Sequence, residues 1–419
     1  MSISSYIASK TFGSDSQNFS GFIIRLTTAA VALSVAIMIV AVCIIKGFRT
    51  EISEKIFGVW GHIHATHINS QQFQEVPLTD TMDWISEIKN LKDSSVSHPE
   101  LGDFNQPVNY VQHSAHMSAI LRTSDALEGL VLKGVDSTFN WDAFQKYIDG
   151  DAQLPALEKE SRTVMISRLT ANRLSLTVGD DVILYFIKDG KEIPRKFSIE
   201  NIYHTGVSEF DEKLAFVPLS EVRAILGWSD HQIGGIEVFV NDLDRLEQFS
   251  RYVYFEIVPM DIVAKSITNK LYPIFQWLEL QKVNERIILL LMIIICILNM
   301  ATGILILIFE RTRMVGVLQA LGFPFASLRN IFLHYAGFIL LRGLFWGNIV
   351  GLGFCAIQFF FQPITLDEQS YYISYAPIYF DWLKIFWINV VCALLILSFM
   401  LLPVYFLKKI DPVKALGFR

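Results

Sequence analysis

Four long apolar runs stand out from the otherwise mixed pattern of hydrophobic and polar positions along the chain. A helix that crosses a bilayer needs about 20 mostly apolar residues. The runs cover Leu26–Ile45, Ile287–Phe309, about Ile331–Phe361 and about Ile385–Leu407. The pattern therefore predicts four transmembrane α-helices.

The third run is longer than one span requires, and Arg342 interrupts it. A charged side chain that faces lipid is costly. We therefore expect a short interfacial helix, about 327–341, that turns into the true span near Gly343. Arg342 would then lie at the inner surface of the membrane.

A stretch of mixed pattern separates the first two runs, and both of its ends continue a helical period. At the first end, the helical period continues from the first apolar run to about Phe57, and Gly58 and Gly61 follow. At the second end, the helical period covers about Ile262–Val283. Apolar residues at intervals of three and four are typical of amphipathic helices. We interpret these two segments as helical stalks that carry a large extracytoplasmic domain.

Within this domain, short alternating runs predict strands and longer periodic runs predict helices. The predicted strands are His62–Ile68, Leu130–Leu132, Val182–Ile187, Phe197–Tyr203, Ile236–Val240 and Tyr254–Val258. The predicted helices are Thr81–Ile88, Ser167–Leu174, Pro218–Leu226 and about Asp244–Arg251. Asp189-Gly190 is typical of a tight hairpin turn. The β-rich middle, about 160–215, indicates two subdomains, one inserted in the other, in an α+β fold.

The predicted domain order follows from these segments. It comprises a cytoplasmic N-terminus (1–25), transmembrane helix 1 (26–46), the extracytoplasmic domain with its stalks (47–285), helix 2 (286–309), a cytoplasmic helix and loop (310–326), the interfacial helix with helix 3 (327–361), an extracytoplasmic loop (362–382), helix 4 (383–407) and a cytoplasmic tail (408–419).

The orientation follows from the positions of Lys and Arg, which favour the cytoplasmic side of short loops. The loop after helix 2 and the tail are basic, whereas the loop between helices 3 and 4 has acids and no Lys or Arg. The basic residues are Arg311, Arg313, Arg329, Lys408, Lys409, Lys414 and Arg419, and the acids are Asp367, Glu368 and Asp381. Both termini of this multi-pass membrane protein are therefore predicted to be cytoplasmic.

The first run is longer than the apolar core of a signal peptide, which disfavours cleavage.

An aromatic belt is predicted at the outer membrane surface, from Tyr371, Tyr372, Tyr375, Tyr379 and Trp382.

Composition agrees with a membrane protein and narrows its class. Hydrophobic residues make up 52% of the chain and charged residues 18%. A net charge of −6 argues against a nucleic-acid binder, which would carry a basic surface. All four cysteines lie in apolar runs, at Cys43, Cys296, Cys355 and Cys392, so the extracytoplasmic domain must fold on its core alone.

The sequence has no catalytic signature, no metal-ligand motif and no Gly-x-x-x-x-Gly-Lys-Ser/Thr phosphate loop. Five histidines raise the question of a metal site: His62, His64, His67, His113 and His116. No cysteine or carboxylate adjoins the first three closely, and His67 would point away from the other two on a strand. Strand or surface histidines are the favoured interpretation.

Residues 310–322 predict a short amphipathic helix on the cytoplasmic side. Met314, Val317, Leu318 and Leu321 share one face, and Gly322 ends the helix. The helix could rest on lipid, or it could dock in a groove of an ATPase as a coupling helix. The candidate coupling residues are Glu310, Arg311, Arg313, Met314, Val317, Leu318, Leu321 and Gly322.

Small and polar residues within the runs indicate helix packing. Gly343, Gly347 and Gly351 recur at four-residue spacing and allow close approach of a neighbouring helix, either in the same chain or in another subunit. Asn299, Asn348 and Asn389 are isolated polar side chains, for which we expect hydrogen bonds between helices.

The chain resembles the FtsX/MacB-type ABC transporter permeases, and most closely the lipoprotein-releasing (LolC/LolE-like) subunits. The most specific segments are Glu310–Arg313 with Leu318–Gly322, and Ile410–Ala415 in the tail. Weaker similarity covers Ser20–Ile23, Gly47–Ile52, Gly61–Ile63, Leu132–Val135, Ile166–Leu174, Val178–Asp180 and Phe216–Leu219. Met314 departs from the pattern, because many members of the family carry an acid there.

The resemblance implies a non-catalytic permease subunit with a MacB-like extracytoplasmic domain. Its implied partners are a cytoplasmic ABC ATPase dimer, which binds ATP and Mg, a second permease subunit, lipoproteins and a periplasmic lipoprotein chaperone. The implied function is release of lipoproteins from the inner membrane.

Other functions compete with this one. MacB-like efflux of peptides or small molecules usually has the ATPase fused to the permease, and FtsX-like regulation of cell-wall hydrolysis usually has a smaller outer domain. A membrane receptor without an ATPase would leave residues 310–322 unexplained.

Overall fold

The computed structural model describes residues 19–70, 75–123, 126–149, 162–188 and 191–405. These residues form two compact units. The membrane unit contains the described residues up to Glu51, Trp277–Thr365 and those from Tyr375 onward. The domain unit contains Ile52–Gln276 together with Leu366–Ser374. The predicted cytoplasmic tail and the Asp189-Gly190 turn lie outside the described residues.

Fourteen α-helices occur in the described part of the chain, with short 3₁₀ and π segments after two of them. The helices are α1 (Phe19–Trp60), α2 (Asp83–Asn90), α3 (Trp141–Phe144), α4 (Arg168–Leu174), α5 (Ser208–Asp211), α6 (Leu219–Leu226), α7 (Leu246–Tyr252), α8 (Ile267–Lys270), α9 (Tyr272–Glu310), α10 (Thr312–Ala320), α11 (Phe325–Phe361), α12 (Glu368–Tyr371), α13 (Trp382–Phe399) and α14 (Leu401–Tyr405).

The strands all belong to the domain unit. They are β1 (Ile63–His67), β2 (Leu78–Thr79), β3 (Ser95–His98), β4 (Gly102–Asn105), β5 (Val108–Arg122), β6 (Leu127–Val135), β7 (Thr163–Ser167), β8 (Asp181–Lys188), β9 (Lys191–Tyr203), β10 (Leu214–Pro218), β11 (Gln232–Ile233), β12 (Gly235–Val240) and β13 (Ile262–Ser266).

Four helical segments of the described chain are long and apolar enough to cross a membrane. They lie at Gly21–Trp60, Tyr272–Glu310, Phe325–Phe361 and Trp382–Pro403. Their buried faces form one apolar cluster, to which every span contributes; Val35, Ile304, Phe332 and Ile396 are examples. The prediction of four spans and a large α+β domain is confirmed.

The third span differs from the prediction in one respect. Helix α11 is continuous for 37 residues, so the expected turn near Gly343 is wrong. Buried residues on both sides of this point, including Tyr335, Leu340 and Gly347, lie along one side of the helix. Because a single packed face runs through Gly343, a break there would disrupt contacts on both sides of it, and the helix remains continuous.

The domain unit is built around a nine-stranded sheet in the order β13-β1-β12-β5-β6-β10-β7-β9-β8. Strand β8 also pairs with the end of β5, so β5, β6, β10, β7, β9 and β8 close into a six-stranded barrel. The first half of β5 instead pairs with β12 in the open part of the sheet. Strands β7 to β10 come from the predicted β-rich middle, and β5 and β6 complete the barrel.

Two predicted elements of the domain are wrong. Tyr254–Val258 is not a strand, because Val253–Ile257 forms a π-helix that buries Val253 and Ile257, four residues apart. Residues 262–266 do not extend the second stalk; they form β13, which pairs antiparallel with β1 from His67↔Ile262 to Ile63↔Ser266. Main-chain hydrogen bonds to a strand about 200 residues away thus override the local helical period.

The first stalk is longer than predicted. Helix α1 passes through Gly58 and ends at Trp60, followed by Gly61 in the left-handed region with φ +68°. Gly58 lies under the ring of Tyr147, where a Cβ would come within 3.3 Å of Cε2. Gly58 therefore serves packing, and Gly61 provides the turn that ends the helix.

Candidate functional site

The short helix α10 lies between two spans of the membrane unit, as its sequence predicts. Arg311 precedes it, and Gly322 follows its last turn with φ +81°, a conformation that glycine adopts without strain. The N–H groups of Gly322 and Phe323 donate to the carbonyls of Gln319 and Leu318. The helix therefore has a fixed end before α11 begins.

The two sides of α10 differ in what they contact. Val315 is fully buried, and Leu318 packs against the apolar cluster of the spans. Arg313, Val317, Ala320 and Leu321 are exposed, and these four residues are called here the α10 outer face. Val317 is 46% exposed and Leu321 74%. Of the predicted coupling residues, Leu318 thus turns towards the core of the unit, and the outer face presents a cation beside two aliphatic side chains.

The remaining coupling candidates surround this face. Glu310 ends α9 and is exposed, while Arg311 and Met314 are half-buried. The sequence pattern grouped Leu318 with Val317 because they follow Met314 at intervals of four and three residues, the spacing of one helix face. Only the packing against the spans distinguishes the two positions.

The glycine strip of α11 lies against α1 of the same chain. A Cβ on Gly343 would stand 2.5 Å from Cγ1 of Val31, and one on Gly347 would stand 2.8 Å from the carbonyl oxygen of Ala32. Gly351 approaches Ala36 and Ile39 in the same way. Of the two alternatives that the spacing left open, the structure therefore shows packing within one chain.

The amide side chains of the spans behave differently from one another. Asn348 Nδ2 donates to Asn389 Oδ1 at 2.7 Å, and Asn389 Nδ2 donates to Asn348 Oδ1 at 3.1 Å. This reciprocal pair joins α11 to α13, as expected for polar residues in spans. Asn299 is exposed on α9, and within the described residues it has no hydrogen-bond partner.

A buried polar cluster where α1 ends was not foreseen from the sequence. Lys133 Nζ donates to the carbonyl of Val59 at 2.7 Å and to Glu237 Oε2 at 2.8 Å. Burial lowers the pKa of Lys133, and the charge of Glu237 opposes that effect. Lys270 Nζ lies 4.1 Å from the centroid of the Trp60 ring. The last turn of α1 is therefore fixed to β6 and to the segment before α9.

A signal for this cluster was present in the sequence. Lys133 is the only charged residue within Leu130–Val135 of β6, and Glu237 is the only charged residue of β12. Two isolated and opposite charges in buried strands indicate a buried ion pair, because neither can be buried alone.

The histidines take structural positions. His62 Nδ1 accepts a hydrogen bond from the N–H of Val240 at 2.7 Å. His113 Nδ1 lies 2.9 Å from Asp136 Oδ2, and His116 Nδ1 lies 2.9 Å from Glu75 Oε1. Within the described residues, no three His, Cys, Asp or Glu side chains are grouped to hold a metal ion.

Comparisons with known proteins cover both units. Residues 25–253 match the MacB-like periplasmic core domain family, and residues 286–412 match the FtsX-like permease C-terminal family. The chain belongs to the FtsX/MacB-type ABC transporter permeases.

Relatives of this permease match over most of its length. The lipoprotein-releasing system transmembrane protein LolC of Neisseria meningitidis serogroup B is 23% identical over 382 residues, covering 86% of this chain and 85% of that protein. LolE of Haemophilus influenzae, also named a lipoprotein-releasing system transmembrane protein, is 20% identical and covers 94% of both chains. The crystal structure of the periplasmic region of MacB from Actinobacillus actinomycetemcomitans aligns with 52% of this chain and 92% of that chain, at 12% identity and a TM-score of 0.33.

These findings fix the class of the protein. It is an inner-membrane ABC permease of the LolC/LolE type, with a periplasmic domain of the MacB-like family between its first two spans. Permease subunits of this family are non-catalytic.

Proposed function

We propose that this permease belongs to a mechanotransmission complex that releases lipoproteins from the inner membrane for transfer to the outer membrane. The observation that carries the proposal is the similarity to lipoprotein-releasing relatives, which extends over both the spans and the periplasmic domain. The cargo would be extracted at the periplasmic surface, so no solute needs to cross the bilayer. The buried side chains that pack the spans together are largely apolar, which supports this.

The energy would come from a cytoplasmic ABC ATPase dimer that binds ATP and Mg. The chain has no phosphate loop of its own. The α10 outer face supports the docking of such a partner, because Val317 and Leu321 leave apolar surface exposed beside the Arg313 guanidinium. A hydrophobic anchor next to a charge is typical of protein interfaces.

Helix α1 would carry the movement to the periplasmic domain. At 42 residues it is about 63 Å long, about twice the thickness of the hydrocarbon core of a bilayer. Its last turn is held by Lys133 through the Val59 carbonyl. A continuous helix with a fixed end passes on a displacement, whereas a flexible linker would absorb it.

A second permease subunit, either a copy or a paralogue, would complete the complex. Asn299 supports this, because a polar side chain that faces lipid on α9 is costly and a neighbouring subunit would cover it. We further propose that both termini are cytoplasmic, because the loop that contains Arg311 and Arg329 is basic. A periplasmic chaperone would accept the released lipoprotein.

Co-purification tests the ATPase contact. The full-length permease is solubilised in detergent beside an Arg313→Glu/Val317→Asp variant, which changes only exposed residues of the α10 outer face. Arg329→Glu is the matched control, because Arg329 is exposed at the start of α11 but does not lie on α10. We expect an ATPase with a phosphate loop to co-purify with the wild type and the control, and to be lost from the double variant. If all three chains retain it equally, α10 is not the docking site.

Depletion of the permease tests the cargo. Lipoprotein release predicts that outer-membrane lipoproteins accumulate in the inner membrane, as measured by fractionation. Normal lipoprotein sorting, with either increased sensitivity to exported compounds or a defect in cell separation, would contradict the proposal and favour MacB-like efflux or FtsX-like regulation.

A further inference from the structure

The loop between α11 and α13 belongs to the domain unit, although the chain enters and leaves it through spans of the membrane unit. Residues Leu366–Ser374 group with Ile52–Gln276. Among the hydrogen-bond contacts of this loop are three that each use a different part of the domain. Glu368 contacts His204, the residue that follows β9. Tyr372 contacts Glu209 on α5 and accepts a hydrogen bond from Lys55 in the C-terminal part of α1.

Two of these contacts involve Tyr372. Its hydroxyl donates to Glu209 Oε1 at 2.9 Å, and its carbonyl accepts from Lys55 Nζ at 3.0 Å. The sequence pattern placed Tyr372 in an aromatic belt, but its hydroxyl is used to bind the domain. Gly206 allows the close approach, because a Cβ there would lie 3.2 Å from the Tyr372 carbonyl oxygen and 2.7 Å from Lys55 Nζ.

The third contact is a histidine between two carboxylates. His204 Nε2 lies 2.9 Å from Glu368 Oε1, and His204 Nδ1 lies 3.1 Å from Asp211 Oδ2. An ionised carboxylate can only accept hydrogen bonds, and a neutral imidazole has only one N–H to donate. Both contacts can be hydrogen bonds at the same time only when His204 is an imidazolium.

Asp211 is held in its ionised form. Its carboxylate accepts from the N–H and hydroxyl of Thr205 at 3.1 and 2.7 Å, and from the N–H of Gly206 at 2.9 Å. Burial alone would raise the pKa of Asp211, but the hydrogen bonds from His204, Thr205 and Gly206 bring it below its ordinary value. Asp211 therefore stays negative and favours a proton on His204.

The remaining charges around His204 partly balance one another. The hydrogen bond to Asp211 raises the pKa of His204, burial opposes this, and the charges of Glu368 and Asp211 add to the rise. Arg168 on α4 lowers the pKa, but Arg168 is itself paired with Asp149. Lys55 on α1 lies near Gly206 and is engaged by the Tyr372 carbonyl. The net effect is a pKa above the ordinary value.

We propose that His204, Glu368 and Asp211 form a pH-dependent latch that holds the loop between α11 and α13 on the periplasmic domain. The latch is closed while His204 carries its proton. When the imidazole loses the proton, one of its two carboxylates loses its donor, and Glu368 is the one released because Asp211 keeps three other donors. The latch thus links the domain to two further spans beside α1 and α9, and the pH outside the cytoplasm sets its strength.

The direction of the pH effect follows from the raised pKa. The latch contributes fully below the ordinary histidine pKa of about 6.5 and is lost as the pH rises through the higher value of the folded protein. The latch depends only on this chain. Its use in transport, as a control on how firmly α11 and α13 follow the domain, rests on the proposed function.

Hydrogen exchange measures the latch directly and requires neither cargo nor ATPase. The full-length permease in detergent is exchanged between pH 5.5 and 8.5, and deuterium uptake of a peptide covering 366–374 is corrected for the intrinsic exchange rate. We expect protection to fall about tenfold as the pH rises, the size expected for a partly exposed hydrogen bond between charged groups. The midpoint should lie above 6.5.

Two variants separate the latch from ordinary loop packing. Glu368→Gln keeps a hydrogen-bond acceptor but removes the charge, so protection should be lower at pH 5.5 and its pH dependence should flatten. Tyr372→Phe removes a contact that does not titrate in this range, so protection should fall at every pH while the midpoint stays. His231→Gln replaces a histidine outside the latch and should leave the pH dependence unchanged, because the His231 side chain is 73% exposed and contacts Asp80 away from the loop.

A peptide from β9, such as 193–202, reports whether each variant remains folded. The proposal is overturned if wild-type protection of the loop is independent of pH across this range, or if Glu368→Gln retains the full pH dependence while β9 stays protected. Either result would leave the proposed transport function untouched, because that function is tested by co-purification and lipoprotein sorting.

Discussion

The ammonium group of Lys133 lies 2.7 Å from Oε1 of Glu237, and neither side chain is exposed to solvent. Gln112 Nε2 donates to the other carboxylate oxygen at 2.6 Å. With the bond from Lys133 to the Val59 carbonyl, this pair joins β6, β12 and the end of α1. A buried pair of this kind is costly to break, because removing one partner leaves an uncompensated charge in the core.

Lys133→Met should lower the free energy of unfolding by about 3–5 kcal/mol, because Glu237 is then buried without its counter-charge. Denaturant unfolding of the purified full-length chain, followed by tryptophan fluorescence, measures this. The Lys133→Met/Glu237→Leu double variant should lose less stability than the single variant, since it leaves no buried charge. A double variant that is less stable than both single variants would contradict this account.

Gly347→Ala should destabilise the packing of α11 on α1. The new methyl would meet the Ala32 carbonyl and Val35, and overpacking of this kind costs about 1–3 kcal/mol. Gly353→Ala is the matched control on the same helix, because a Cβ there has no atom within 4 Å. Its thermal stability in detergent should stay within about 1 kcal/mol of wild type. Equal losses in both variants would mean that close helix approach is not the reason for the glycine.

Acidification should destabilise the periplasmic domain through His62. Burial lowers the pKa of His62 to about 4. The N–H of Val240 donates to the Nδ1 atom of the ring, and this hydrogen bond requires that Nδ1 carry no proton. Between pH 6.5 and 4 the His62 side chain becomes protonated in the unfolded chain, whereas it remains largely neutral in the folded chain. Stability should therefore be independent of His62 above pH 6.5 and fall by about 3 kcal/mol by pH 4.

Unfolding of wild type and His62→Asn over this pH range measures the effect. The asparagine oxygen can still accept from Val240, and the variant should lose less stability on acidification. His231→Asn, at an exposed position, should follow the wild type. An unchanged pH profile in His62→Asn would show that other groups, such as the buried His64, carry the acid sensitivity.

Asn348→Leu should lower thermal stability in detergent by about 1 kcal/mol, the usual size of a hydrogen bond between helices in a membrane. The cost arises because Asn389 loses its side-chain partner on α11. Asn348→Leu/Asn389→Leu should recover part of the loss, since it leaves no unpaired amide between the helices. If the two single losses simply add, the pair contributes little as a unit.

The sequence was most informative where the local pattern leaves no alternative. A run of about 20 apolar residues has no stable place but a membrane or a large core, so the four spans could be located by composition. The helix of α10 and its end at Gly322 followed from period and turn chemistry. The four-residue glycine spacing predicted close helix packing, although not which helix would approach.

Tertiary contacts decided the rest. Residues 262–266 follow a helical period by sequence, yet they pair with β1 because the edge of the sheet satisfies their main-chain groups. The closing of the barrel through β5 and β8 depends on strands about 60 residues apart. Leu318 and Val317 are equivalent in the pattern of α10, and only the spans beneath the helix make one buried and the other exposed.

The sequence by itself thus determined the number of spans, the class of the domain and the family, because each depends on composition or on local residue order. The tertiary structure alone determined the Lys133–Glu237 pair, the partner of the glycine strip and the two carboxylates of His204. Apart from Asp211, which is close to His204 in sequence, these partners lie from about 100 to more than 300 residues away along the chain. A local pattern can show that a side chain needs a partner, but only the fold brings a particular partner within reach.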